Sequence, residues 1–238
     1  MLTDVIRNGF TTDTIIQLLA LVFVVFCVTP IHEFSHALAA NALGDQTPRL
    51  SGRLTVNPMA HIDFMGAILL FVVGIGWGKP VMVNMRNFKM KNKKAGMALV
   101  AFAGPLSNII MAFFSLLLMF IVIRVSGTGV LSGGEIYVNN DAEGSLAYNL
   151  IRFLMFAASI NISLAVFNLL PVPPLDGSRL ISLILPDKYY FKVMQYERYI
   201  AIGVMVLAFI GVLGVPISFL SGILFKALTY LASFPLKL

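Results

Sequence analysis

The chain has little charge and almost no sulfur chemistry. Of its 238 residues only 12% are charged, three are histidine and one is cysteine. A lone Cys27 excludes a disulfide framework and a Cys-based zinc site, so any metal must be held by His and carboxylate. The scarcity of charge excludes an ordinary soluble domain: 58% of residues are hydrophobic and the mean hydropathy is +0.89. No long polar stretch remains for a second, soluble domain, and residues 1–238 are expected to form a single membrane-embedded domain. The net charge of +6 comes from Lys and Arg placed between apolar segments. Membrane topology and anionic lipid account for such residues better than nucleic acid, which is not an expected partner; the lipid bilayer is.

What is present reads as a succession of spans. Residues 1–12 form a short tail, because Asp4 beside Arg7 and the lack of a small-residue cleavage site argue against a signal peptide. The first core span covers about 13–43, and Pro30 should bend it one turn before a pair of histidines. A polar loop with Arg49, Arg53, His61 and Asp63 follows. The apolar run Met65–Trp77 is too short to cross a bilayer and reads as re-entrant or interfacial, with Gly74, Gly76 and Gly78 permitting close packing or hinge motion. Arg53–Val56 and Pro80–Asn84 flank it with alternating, β-branched sequence that suits short strands, which makes a β-hairpin-like segment around 50–85.

Lys79, Arg86, Lys89, Lys91, Lys93 and Lys94 have no acidic neighbour and mark a cytoplasmic loop. The second core span covers about 97–125, and the loop with Glu135, Asp141 and Glu143 is external. The third, 145–185, is broken at 168–177, where Pro171, Pro173 and Pro174 prevent helix and Gly177 permits a turn. A helical hairpin over 199–234 closes an all-α polytopic membrane protein, a bundle of about five to six transmembrane helices without internal repeat. The first and third spans run in the same direction, so residues late in each can meet at one depth, near the cytoplasmic side.

The chemistry sits in His32-Glu33-Phe34-Ser35-His36. Residues four apart stack on one helix face, so both imidazoles can reach a single Zn²⁺, with Glu33 beside the metal as general base. Ionisable groups at membrane depth are functional candidates by default. Most of the other acids lie in loops or at span ends; Asp176 is different, sitting in the broken helix inside an apolar region.

At this point the chain resembles the site-2 protease family of intramembrane zinc metalloproteases. His32–His36 matches that family's HExxH, and Asn168–Gly177 matches its NxxPxPxLDG. The resemblance implies zinc on His32, His36 and Asp176, Glu33 as catalytic base, transmembrane proteins as substrates, and a multi-pass protein of the cell membrane with its active site towards the cytoplasm. Gly104-Pro105-Leu106-Ser107-Asn108 looks like the small-residue motif of the family's middle core helix. Gly52–Pro58 with His61–Asp63 resembles a loop of compact bacterial members, except that Phe64 stands where Pro is expected. The PDZ domain of some relatives is not expected here.

His61 is a competing ligand, but its polar segment suits a loop or substrate-access role. Asn161 and Asn168 are seven apart and share a face. Asn168 either hydrogen-bonds across helices or, as a catalytic candidate, donates to the developing oxyanion. Two other classes remain open: a zinc-binding scaffold or sensor, and a transporter using intramembrane carboxylates.

Overall fold

The computed structural model describes residues 11–73, 76–132, 135–139 and 143–234. Most of the expected N-terminal tail, Gly74 and Asp141 lie outside the described residues. Thr11 opens the fold by accepting a hydrogen bond from the Thr14 backbone N–H, which caps α1 (Thr12–Phe23). The helix widens to a π turn over Val24–Val28 and continues as α2 (Thr29–Ala42). Pro30 cannot donate to the helical ladder; the wider turn, in which the Thr29 N–H reaches the Val24 carbonyl, takes up the irregularity just before the histidines.

Short helices α3 (Thr47–Leu50) and α4 (Pro58–His61) fill the polar loop, each with proline in its first turn. Apolar α5 (Phe64–Val73) follows, its start held by the Asp63 Oδ1, which accepts from the Gly66 N–H at 2.9 Å. Ten residues rise about 15 Å, half of a hydrocarbon core, so α5 does not cross. The segment 76–92 is a strap without regular strands. Here the expectation of short strands is corrected: neither Arg53–Val56 nor Pro80–Asn84 forms one, and only an isolated bridge joins Ile62 to Gly78. The physical reason is that strap N–H groups are taken by carboxylates instead of a neighbouring strand: Val81 donates to Glu33 and Asn84 to Asp45.

Asn92 caps α6 (Lys93–Ser126), which ends at Gly127 with φ of 67°. Strands β1 (Gly129–Ser132) and β2 (Glu135–Val138) pair antiparallel, Gly129 opposite Val138, in the loop the sequence left unstructured. Then come α7 (Leu146–Leu169), the broken stretch, α8 (Gly177–Ile181), α9 (Asp187–Met194), α10 (Glu197–Phe209) and α11 (Gly214–Ser233). Among the described residues four helices are long and apolar enough to cross a membrane: Thr14–Ala42, Lys93–Ser126, Leu146–Leu169 and Gly214–Ser233. The count of about five to six had included α10, which at 13 residues is too short for an upright crossing.

The principal core lies between α6 and α7, where Leu116, Met119, Phe120 and Ile123 meet Ile151, Leu154 and Ile162, with Leu228 and Ala232 of α11 against them. At the other end of α6, Ala40, Phe88 and Val100 form a smaller cluster that seats the strap on α2. The site lies between these two cores.

Candidate metal centre

α2 carries His32 and His36 one turn apart, both buried. Their Nε2 atoms stand 3.1 Å from each other. Asp176 reaches them from the broken segment, its Oδ2 3.3 Å from His32 Nε2 and 3.4 Å from His36 Nε2. Consecutive turns place it there: Leu175 donates to the Val172 carbonyl, Ser178 to Leu175 and Arg179 to Asp176. Gly177 has an ordinary φ, so its role differs from the expected turn. A Cβ there would strike the Leu169 and Leu170 carbonyls, and glycine allows the segment to close against the end of α7. Arg179 then ties α8 outward, donating to the Tyr190 hydroxyl at 3.0 Å and pairing with Glu197 at 3.2 Å.

The three donors form a nearly equilateral triangle. Ligands about 2.0–2.1 Å from a tetrahedral zinc stand about 3.3 Å apart, which is the size of this triangle. The hydrogen positions agree. His36 Nδ1 lies 2.7 Å from the Val100 carbonyl, an acceptor that fixes the proton on Nδ1 and leaves the Nε2 lone pair facing Asp176 and His32. Electron pairs so aimed at one another call for a cation between them, and among the described residues His32, His36 and Asp176 are the one set of this kind that can hold a metal ion.

Gly104 of α6 explains how the helices come so close. A Cβ at that position would collide with the imidazoles of both His32 and His36. Gly104 therefore forms the floor of the centre.

Glu33 faces a cavity of about 260 Å³ shared with His32, Trp77, Gly78, Asn108 and Asn168. Its Oε2 accepts a hydrogen bond from the Val81 N–H at 3.2 Å. Asn168 thus lies in the same cavity as the candidate base, whereas Asn161 is fully buried and donates to the Ala157 carbonyl. His61 is not in an open loop. It is fully buried, with Nε2 2.7 Å from the Thr55 carbonyl, so it supports the loop's fold and stands apart from the metal-ligand set.

Asn108 escaped the sequence reading as an individual residue. It is 1% exposed, borders the cavity, and neither end of its amide has a protein partner. An amide within an apolar span was the available signal.

Comparison with known proteins agrees with this geometry. The sequence profile of peptidase family M50 matches residues 18–213. YwhC of Bacillus subtilis (strain 168), named as a zinc metalloprotease, is 39% identical over 168 residues, covering 71% of this chain and 70% of its own. Rip2 of Mycolicibacterium smegmatis, named likewise, is 28% identical over 62% of this chain and 50% of its own length. Protease RseP of Yersinia pestis is 39% identical over a shorter stretch, 26% of this chain and 16% of its own. No solved structure matched the chain. The chain therefore belongs to peptidase family M50, the site-2 protease family of membrane zinc metalloproteases.

Proposed function

We propose that this protein is an intramembrane zinc endopeptidase that cuts transmembrane or membrane-proximal segments of other membrane proteins, its spans acting as one catalytic unit. The observation that carries the reading is the triangle of His32, His36 and Asp176 donors with the Glu33 carboxylate beside it, facing a cavity with mostly apolar walls. A bound zinc supplies Lewis-acid chemistry there, making water more acidic and polarising a carbonyl. Glu33 accepts the proton of the attacking water and passes it to the leaving amine. Asn168 borders the same space and donates a hydrogen bond to the carbonyl oxygen as charge builds on it. The apolar walls exclude competing water and receive an apolar substrate segment. Such a segment, if helical, must unwind locally, because its carbonyls are otherwise tied up in the i to i−4 ladder.

We infer that the site faces the cytoplasm of a cell membrane. The basic block Lys79–Lys94 meets the C-terminal end of α2, beyond the histidines, where the Lys89 N–H donates to the Leu43 carbonyl, and Lys and Arg accumulate on the cytoplasmic side. A zinc scaffold would have no use for a carboxylate held in the cavity, which favours the peptidase. The test is mass spectrometry of membrane-protein substrates incubated in detergent with wild-type or Glu33→Gln protein. The variant is expected to keep its zinc and lose cleavage by about 10²–10⁴-fold. Undiminished cleavage by Glu33→Gln protein would remove Glu33 from its role.

A further inference from the structure

We propose that Asp45 is a positioning residue for Glu33, acting through the strap: it anchors the segment whose Val81 N–H holds the Glu33 carboxylate. The proposal rests on the peptidase reading above. Asp45 has no exposed area and lies just past the C-terminal end of α2, the helix that carries Glu33. Its two oxygens divide their work. Oδ1 accepts from the Thr47 N–H at 3.1 Å, the Thr47 hydroxyl at 2.6 Å and the Asn87 amide at 2.8 Å. Oδ2 accepts only from the Asn84 N–H, at 2.7 Å.

The strap has two further backbone anchors. Lys89 N–H donates to the Leu43 carbonyl at 2.7 Å, and Lys79 N–H to the His61 carbonyl at 2.7 Å. Val81 lies between these fixed points, three residues from Asn84, and its N–H meets Glu33 Oε2. Base and donor are thus both referenced to α2, one by covalent attachment and one through Asp45. With Oε2 held, Oε1 is the oxygen left to move the proton, and a Cβ at Gly78 would stand only at ordinary contact distance from it, meeting Thr29 and the His61 carbonyl first.

Asp45→Asn is the discriminating variant. An asparagine that keeps its carbonyl oxygen at the Oδ1 position retains three hydrogen bonds, Asn87's among them, but turns an amide donor against the Asn84 N–H, so the strap loses its anchor nearest Val81 on the Asp45 side while the local turn survives. The expected result in purified, zinc-loaded protein is unchanged zinc stoichiometry, at least tenfold faster hydrogen exchange at the Val81 amide, kcat lowered about tenfold and KM within about twofold. Replacing the Val81 peptide N–H by an ester oxygen, as Val81→α-hydroxyvaline, should reproduce the kcat loss, and adding Asp45→Asn to it should cost nothing more. Thr47→Val, which spares the Asn84 bond, should keep wild-type kcat. Additive losses, or faster exchange with wild-type kcat, overturn the proposal and leave the peptidase reading standing. Wild-type protein that binds zinc, protects the Val81 amide and cuts nothing overturns both.

Discussion

Asp45 and Asp176 are both drawn out of bulk water in a chain with only 11 acidic residues, yet they are treated in opposite ways. Asp45 meets donors alone, from Thr47, Asn84 and Asn87. Burial pushes its carboxyl up, but those hydrogen bonds outweigh burial and hold it below the ordinary carboxylate value. Asp176 meets two imidazole nitrogens, and the proton of one of those rings is committed elsewhere, to Val100. A carboxylate satisfied by N–H and O–H groups fastens chain to chain. A carboxylate set against nitrogen lone pairs is waiting for a positive charge, and the contrast separates structural from functional acids more surely than burial does.

The sharpest way to break this comparison is to delete Asp176. Asp176→Ala leaves two neutral nitrogens and no anionic ligand, so purified protein should lose nearly all bound zinc by metal analysis, and peptidase activity should fall to background. Full zinc occupancy in that variant would mean that the metal is held elsewhere. A smaller effect is expected at the floor of the centre. Gly104→Ala drives a methyl group into both imidazoles and should weaken zinc by about 10–100-fold in chelator competition, as displaced ligand orientation does elsewhere. Wild-type zinc affinity would show that the α2–α6 approach is not set by that glycine.

The metal centre was the legible part of the sequence because its signals are local and chemically restrictive. Histidines four apart share a helix face, and a proline-broken stretch inside an apolar span singles out Asp176, but it is the resemblance to the site-2 protease motifs that groups His32, His36 and Asp176 from sequence. The bundle followed from apolar length, although α10 fell short of a full crossing. The strap could not be read in the same way. Pro80–Asn84 alternates like a strand, but whether its N–H groups pair with a neighbour or with Glu33 and Asp45 depends on residues about 40 positions away. The same holds for His61, polar in its local context yet fully buried by the return of the strap over it. The pairing of β1 with β2 was missed because the loop was read for its charge alone, as an external connection.

Acid should separate the two carboxylates without any mutation. Zinc binding needs neutral imidazoles, so metal is expected to leave as acid protonates the rings. Asp45 responds later. Its folded-state value lies below the 3.8 of an unconstrained aspartate, so its contribution is complete above that pH and is lost only as the pH falls through the lower, folded value. Hydrogen exchange at Asn84 should therefore stay protected where acid has already lowered zinc occupancy, and open only below the ordinary aspartate value. Simultaneous loss of zinc and of Asn84 protection would show that the strap is held by the metal centre and not by Asp45, and would reverse the order of dependence between the two sites.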